Sequence, residues 1–547
     1  MKPNRWVGVI AAGAAGFSFN SECRAAQERP NFIVILADDM GYSDIGCYGS
    51  EIQTPNLDAL AKDGILFTQF YNAARSCPSR ASILTGLYPH QAGIGAMIGD
   101  SALNEDIPAY QGYLSRNAVT LGEVMKLNGY HTMASGKWHV GDTKEEMLPN
   151  KRGFDRSFMT PGGAGDYFKL GGSSRPVAPY KLDGASHLPG PDYYDTDAVF
   201  NFAVQFIKER PAGPPFFAYV TPRAPHWPLH AKPEDIAKYK GTYDCGWDEL
   251  REQRYKKQID LGLIPKEWKM ALRSDGDGTV PSWDSLSKEQ QRQQAAKMAV
   301  YAAQVDCLDQ NVGRLVDFLK EEGLFDNTLI MFLADNGACA ELDEVPFGQD
   351  WKNGKGGPVG SPDSYESYGR CWAEVSNTPF RLWKREVHEG GIATPMIASW
   401  PRGISAKGSV NRQPGHLIDI MPTCLDVSGG LYPAEYNGQK IQPMEGVSFA
   451  PVFQGMGRKE HDEIAWEHFA SRGIRCGKWK LVSQTHDKWM NARPGPWELY
   501  DMEADRTEMN NLVKELPEKA KELAARYSDW ARRVGVIDNT ADWRKKK

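Results

Sequence analysis

Short apolar runs recur along most of the chain, and segments with the apolar spacing of amphipathic helices separate them. The runs that predict buried strands are 31–39, 130–139, 216–221, 328–337 and 396–401. Strands that alternate with helices in this way are typical of an α/β fold with a mostly parallel sheet, because parallel neighbours need long crossover connections. We therefore expect a mostly parallel sheet flanked by helices.

The segments between these runs carry start and stop signals for helices. Thr120 and Glu123 have the spacing of a capping box, and Gly129 follows the end of that helical pattern. A longer helical pattern over 287–322 stops at Gly323, just before the next apolar run. The sequence therefore predicts helices that connect successive strands.

The pattern changes to shorter elements after about residue 425. Residues 473–483 and 497–501 predict antiparallel strands, and 514–534 has the spacing of an amphipathic helix. This change predicts a smaller C-terminal α+β subdomain. Residues 341–370, which are rich in Gly, Pro, Ser and acidic groups, predict a long insertion of the kind that often lines a substrate cleft.

The N-terminus has the pattern of an export signal. Lys2 and Arg5 precede a small and apolar run over 7–17, and small residues follow at 25 and 26. We expect a signal peptide and a periplasmic or extracellular protein; a buried N-terminal helix and a lipid anchor at Cys23 are the alternatives. The predicted organisation is a signal peptide over 1–27, a main domain over 28–425 and a C-terminal subdomain over 426–547.

Composition and charge narrow the possible functions. The 547 residues carry a net charge of −6, so the sequence shows no basic footprint for nucleic acid. Beyond the short N-terminal run, no segment approaches the length of a membrane span. The nine cysteines are widely spaced and predict neither a disulfide scaffold nor a Cys-x-x-Cys metal site.

Two predicted strands end in similar pairs of oxygen-bearing side chains. Asp38 and Asp39 follow one strand, and Asp335 and Asn336 follow another. Ligands of open α/β sheets bind beyond the carboxyl ends of the strands. Four hard oxygen donors there suit Ca²⁺ or Mg²⁺. For one pair alone the alternative is a capped turn, but two such pairs favour a metal site.

The stretch 75–86 predicts an anion site at the start of a helix. Pro78 suits the first turn of a helix, and Arg80 lies one turn beyond Ser76. A hydroxyl, a guanidinium and free backbone N–H groups favour an oxyanion substrate. A capped helix with a surface arginine is the alternative.

The order Ser76-Cys77-Pro78-Ser79-Arg80, followed by a leucine-containing Thr-Gly stretch, resembles the signature of the sulfatase family. The resemblance to arylsulfatase-type sulfatases, within the alkaline phosphatase superfamily, extends over nearly the whole chain. It implies an alkaline phosphatase-like fold, a sulfuric ester hydrolase and a nucleophile made by oxidation of Ser76 to formylglycine. Cys77 lies at the position where the signature accepts any residue.

The resemblance also implies roles for the remaining site residues. One Ca²⁺ per chain would be held by Asp38, Asp39, Asp335, Asn336 and an oxygen of the modified Ser76. Arg80, Lys137 and Lys384 would hold the sulfate, because a sulfate ester carries negative charge that must be stabilised while its S–O bond breaks. His139 would be the base that releases sulfate, and His226 the acid for the leaving alcohol.

The expected partners follow from the same resemblance. A serine-type signature implies maturation by an anaerobic-type radical enzyme, and the expected substrate is a sulfated carbohydrate or an aryl sulfate. A phosphate or phosphonate monoesterase that uses unmodified Ser76 is one alternative, and an inactive sulfated-glycan-binding protein is another. Further candidates for substrate contact are His90, His230, His388, Trp138, Trp227 and Trp383.

Overall fold

The computed structural model describes residues 28–98, 107–168, 180–273, 280–340, 356–485 and 493–537. The predicted signal peptide, with Cys23, and residues 341–355 of the predicted insertion lie outside the described residues. All eight cysteines in the described part are free thiols. In these ranges, no helix combines the length and the apolar character that crossing a bilayer requires.

An eleven-stranded mixed sheet forms the centre of the molecule. Its strands are β1 (Asn31–Ala37), β2 (Ile65–Tyr71), β3 (His131–Lys137), β4 (Arg156–Thr160), β5 (Tyr180–Leu182), β6 (Ala185–His187), β7 (Phe216–Thr221), β8 (Thr328–Ala334), β9 (Ala393–Ser399), β10 (Ser409–Asn411) and β11 (Gly415–His416). The order is β10-β2-β9-β8-β1-β7-β3-β4-β5-β6, and β11 also pairs with β2. The central strands β8, β1, β7, β3 and β4 are parallel, whereas β9 runs antiparallel to β2 and β8.

Helices cover both faces of this sheet. They are α1 (Pro55–Lys62), α2 (Ser76–Thr85), α3 (Leu121–Leu127), α4 (Asp195–Lys208), α5 (Pro233–Ala237), α6 (Gly246–Asp260), α7 (Lys288–Glu321), α8 (Gly369–Ser376), α9 (Glu389–Ile392), α10 (Ile420–Ser428) and α11 (Ala450–Phe453). Alternate residues of β1 enter two separate hydrophobic cores, with Ile33 and Ile35 on one face and Phe32 and Val34 on the other. A strand buried on both faces has the continuous apolar pattern that the sequence shows.

A second, four-stranded antiparallel sheet follows. It contains β14 (Ile464–His468), β15 (Ser471–Cys476), β16 (Trp479–Ser483) and β17 (Glu498–Asp501), after a short hairpin of β12 (Glu435–Tyr436) and β13 (Gln439–Lys440). The C-terminal helix α12 (Pro517–Val534) packs on this sheet through Leu523, Tyr527 and Trp530.

The expected α/β class with a smaller C-terminal subdomain is confirmed. The capping box of Thr120 and Glu123 is present, and α7 ends two residues before Gly323. The sequence prediction missed β2, β4 to β6 and β10 to β14. The boundary at about residue 425 stays a prediction.

Candidate active site

The two acidic strand ends lie side by side because β1 and β8 are parallel and in register. Ala37 pairs with Ala334, so the residues that follow each strand emerge together. The backbone N–H of Asp39 donates to Asp335 Oδ1 over 3.2 Å. Asp39 has a φ of 65°, a left-handed conformation that turns the chain sharply at the end of the strand. All four predicted donors are buried.

Ser76 is the first residue of α2 and faces this cluster. Its Oγ lies 3.0 Å from Asp38 Oδ1 and 3.2 Å from Asn336 Oδ1. Every residue of α2 is buried. Cys77 points into a hydrophobic core, where burial raises the pKa of its thiol to about 11. The hydroxyl, and not the neighbouring thiol, therefore faces the oxygen cluster.

Arg80 connects the helix to the strand ends. Its Nε and Nη2 donate to Asp335 Oδ2 over 3.1 and 2.8 Å, and its Nη1 donates to the carbonyl of Lys137 over 2.7 Å. Arg80 is fully buried, and its Nη2 also lies 3.8 Å from Asp38 Oδ2. Asp335 thus holds Arg80 beside Ser76.

Two lysines contact the acidic pair at the end of β1, one on each carboxylate. Lys137 ends β3, and its Nζ lies 2.5 Å from Asp38 Oδ2. Lys384 lies in the segment before α9, and its Nζ lies 2.8 Å from Asp39 Oδ1. Both ammonium groups are buried. Together with Arg80 they place three positive charges around Ser76.

Two histidines complete the cluster. His139 follows β3 with a φ of 57°, and His226 Nε2 lies 3.3 Å from Asp39 Oδ2. Burial, together with the charges of Lys137 and Arg80, holds the pKa of His139 well below its usual value. Burial also lowers the pKa of His226, although the charge of Asp39 opposes the shift. The sequence did not predict the contact of His226 with Asp39.

The donors fit a hard divalent cation. One possible ligand atom from each of Asp38, Asp39 and His226 lies within 4.8 Å of the other two. The hydroxyl oxygen of Ser76 contacts both Asp38 and Asn336. Burial, and then the charge of Asp38, raise the pKa of Asp335 to about 7. Carboxylates packed this closely repel one another unless positive charge separates them. Oxygen donors of this kind suit Ca²⁺.

The structure brings all the predicted metal and catalytic residues into this one cluster. The other histidine candidates have protein partners: His90 pairs with Glu467, His230 Nε2 lies 2.7 Å from the Ser364 carbonyl and His388 pairs with Glu498. Trp138 and Trp383 are core residues, whereas Trp227 packs beside His226. The sequence prediction missed Cys339, whose Sγ lies 3.7 Å from Lys384 Nζ.

Comparison with known proteins identifies the family. The family model of sulfatases matches residues 30–430. The chain belongs to the sulfatase family. A second family model, described as the C-terminal region of N-sulphoglucosamine sulphohydrolase, matches residues 380–530 of this sulfatase. The protein is therefore a sulfuric ester hydrolase.

Relatives and solved structures agree with this assignment. The sulfatase is 34% identical to an uncharacterized sulfatase of Schizosaccharomyces pombe, over 96% of this chain and 97% of the relative. It is 35% identical to the arylsulfatase of Klebsiella aerogenes, over 84% of this chain and 98% of that enzyme. The crystal structure of Ps i-CgsB in complex with k-i-k-neocarrahexaose matches with a TM-score of 0.66 and 26% identity, over 94% of each chain.

Proposed function

We propose that this sulfatase is an exported enzyme that removes sulfate from a sulfated carbohydrate, and that its nucleophile is a formylglycine made from Ser76. One observation carries the proposal: Ser76 Oγ, at the start of α2, lies between Asp38 and Asn336 and within a ring of three buried cations. A hydroxyl held by two metal-type ligands and surrounded by positive charge suits chemistry on an anionic ester.

The formylglycine would supply a hydrated aldehyde, one hydroxyl of which attacks sulfur while the other later loses its proton so that sulfate leaves and the aldehyde returns. Lys137, Lys384 and Arg80 would hold the sulfate oxygens as the S–O bond to the alcohol breaks. Loss of one such contact typically lowers the rate by about 10² to 10³.

Calcium would be held by Asp38, Asp39, Asp335, Asn336 and an oxygen of modified Ser76. Bound there, it would add positive charge next to the sulfate oxygens. The fit rests on the hard oxygen donors at the ends of β1 and β8. Each carboxylate also contacts a lysine or arginine, which links the donors to the sulfate-holding cations.

His139 and His226 would move protons at two different steps. His139 would take the proton of the second hydroxyl on residue 76 when sulfate leaves. His226 would give a proton to the alcohol oxygen as its bond to sulfur breaks. Because the sulfated enzyme is the same for every substrate, loss of His139 should slow turnover of all of them, whereas the effect of losing His226 should depend on the leaving alcohol.

The relatives support a carbohydrate substrate. The N-acetylglucosamine-6-O-sulfatase of Bacteroides thetaiotaomicron is 27% identical over 91% of this chain and 85% of that enzyme. The structure of Ps i-CgsB contains a neocarrahexaose. An exported enzyme would meet sulfated carbohydrates released from polymers outside the cell. The serine at position 76 supports maturation by a radical enzyme.

The experiment that tests this function compares sulfate and phosphate esters. Protein produced with a radical maturation enzyme is incubated with p-nitrophenyl sulfate, p-nitrophenyl phosphate and a panel of sulfated monosaccharides. We expect sulfate release from the aryl sulfate and from at least one sugar, with kcat/KM at least about 10³ higher than for the phosphate. Faster turnover of the phosphate by protein with unmodified Ser76 would instead identify a phosphate monoesterase.

A further inference from the structure

The turn between β14 and β15 lies against the active-site segments of the main domain. Trp466 Nε1 in β14 donates to the carbonyl of Asn72 over 2.8 Å. Ser471 Oγ in β15 donates to Glu386 Oε2 over 3.2 Å. The turn 468–471 is thereby held beside the chain that leads into Ser76 and the chain that leaves Lys384.

His468 begins this turn and is buried without hydrogen-bond partners. His468 is 1% exposed, and neither nitrogen of its ring has a hydrogen-bond partner within the described ranges. A buried polar group without a partner destabilises the folded protein. Proteins rarely retain such a group unless a ligand or water meets it. His468 therefore points to a ligand that is not part of the chain.

Each of the two chain segments that hold this turn carries an arginine close to the contact. Arg75 directly precedes Ser76 and is buried, while Arg385 directly follows Lys384 and is half-buried. The Arg385 N–H donates to the carbonyl of Ala74 over 2.8 Å, which joins the two segments. Burial, followed by the positive charges of Arg75 and Arg385, holds the pKa of His468 well below its usual value. The surroundings of the ring are thus positively charged.

The nearby acidic groups are already engaged elsewhere. Glu467 contacts His90 Nε2 at 2.9 Å and accepts from the Tyr110 hydroxyl at 3.3 Å. Glu386 accepts from Ser471. These carboxylates hold the hairpin in place and leave the ring of His468 without an acidic hydrogen-bond partner. The group that suits the position is an oxyanion from outside the chain.

We propose that Arg75, Arg385 and His468 form a second oxyanion subsite beside the sulfate-holding cations. The subsite binds a second sulfate, or a carboxylate, of the same substrate molecule. The inference rests on the proposed function, because the first sulfate must occupy the site at Ser76. It makes the enzyme selective for carbohydrates that carry two anionic groups, and Arg385, as the half-buried member, forms the outer edge of the subsite.

A binding experiment tests the subsite without depending on turnover. Ser76→Ala protein, which cannot form the nucleophile, is titrated calorimetrically with glucosamine 6-sulfate, with glucosamine 2,6-disulfate and with 6-sulfated glucosamine linked to a uronic acid. We expect one of the two doubly anionic ligands to bind at least about 10-fold more tightly than the monosulfate, since a charge-assisted contact is lost without the second anion. Tighter binding of the disulfate would show that the subsite takes a sulfate, and tighter binding of the uronic acid conjugate would show that it takes a carboxylate.

Adding Arg385→Ala or His468→Ala to Ser76→Ala should remove that preference, whereas Arg412→Ala, a change at an exposed arginine, should keep it. Arg385→Ala keeps the test valid if His468→Ala does not fold. Equal affinity for all three ligands, or a preference that survives both changes, would overturn the subsite. Absence of sulfatase turnover in the matured enzyme would instead overturn the proposed function, and the titration still decides on the subsite.

Discussion

Asp335 is the residue on which the charged groups of the site converge. It accepts from Arg80 through two nitrogens and from the backbone of Asp39, and it lies among the proposed calcium ligands. The parallel pairing of β1 with β8 places it beside Asp38 and Asp39. A change at this residue should therefore affect metal binding and sulfate binding together.

We predict that Asp335→Asn lowers kcat/KM for p-nitrophenyl sulfate about 10³-fold. The amide keeps the shape of the side chain but removes the charge that faces Arg80 and the metal. Calcium should raise the Tm of the parent protein and should no longer raise that of the variant. Asp317→Asn, on the exposed side of α7, serves as control. Full turnover by a metal-free Asp335→Asn enzyme would disprove the role.

His226 gives a prediction that depends on the leaving group. His226→Ala should lower kcat/KM by about 10² to 10⁴ for alkyl or sugar sulfates and by less than about 10-fold for activated aryl sulfates, because only poor leaving groups need a proton. The measurement is kcat/KM across aryl sulfates of increasing phenol pKa. His131→Ala, near the surface beside Asp155, is the control. Equal losses across the series would remove His226 from the acid role.

Strand β3 has a glycine, Gly136, directly before its last residue, Lys137. Gly136 has a φ of 117°, and a Cβ added there would lie 2.1 Å from the carbonyl oxygen of Thr221 in β7. That carbonyl belongs to the neighbouring parallel strand, which cannot move aside cheaply. The close approach fixes the direction in which Lys137 and His139 leave the sheet.

Gly136→Ala should consequently destabilise the protein by about 3 kcal/mol, because it combines backbone strain with overpacking. Urea unfolding measures the change in the free energy of unfolding. Gly190→Ala is the matched control, since its Cβ would meet open space, and it should change stability by less than about 0.5 kcal/mol. A Gly136→Ala protein as stable as the control would show that the strand end is not tightly packed.

The ends of β1 and β8 could be predicted from the sequence because each is an apolar run that stops at an aspartate, Asp38 or Asp335. Such a pattern is visible without knowledge of the tertiary structure. The sequence prediction missed β2, since only the two-residue turn Asp63-Gly64 separates that strand from α1. It missed β14 because the burial of that strand comes from docking against the main domain. His468 lies at the end of β14 in no recognised motif, so only the folded hairpin reveals its surroundings.

At the scale of the whole molecule, a buried cluster of charges joins the C-terminal subdomain to the main domain. Glu389 of α9 accepts from Lys480 of β16 over 2.8 Å and from Arg506 over 2.7 Å. Tyr71 donates to Glu389 over 3.1 Å, and the Glu389 N–H donates to Glu508 over 2.9 Å. The cluster lies just beyond the segment of Lys384, so docking of the subdomain and the geometry of the site are connected.

This cluster should make stability depend on acid pH. Burial alone would raise the pKa of Glu389, but Lys480, Arg506 and Arg475 lower it to about 2. A carboxylate whose pKa falls on folding stabilises the protein fully above its unfolded value near 4.5, and the contribution is lost as pH falls through about 2. The facing groups are Tyr71, Arg475, Lys480, Arg506 and Glu508.

Glu389→Gln should therefore lower the free energy of unfolding by about 3 kcal/mol at pH 7, and the difference from the parent should shrink between pH 4.5 and pH 2. Urea unfolding at pH 7 and pH 3 measures both values. Glu503→Gln, at an exposed position nearby in the chain, should show no such pH dependence. A difference that stays constant or grows in acid would contradict the assignment of this cluster.

We infer that Ser76, and not Cys77, becomes the formylglycine nucleophile. The direct measurement is mass spectrometry of the peptide containing residues 76–80, from protein produced with and without a radical maturation enzyme. We predict the loss of two hydrogens at Ser76 only when that enzyme is present, with sulfatase activity in proportion to the modified fraction. Cys77→Ala should remain active and Ser76→Ala should be inactive, because alanine has no oxygen to oxidise. An aldehyde at Cys77, or full turnover by protein with unmodified Ser76, would show that Ser76 is not the source of the nucleophile.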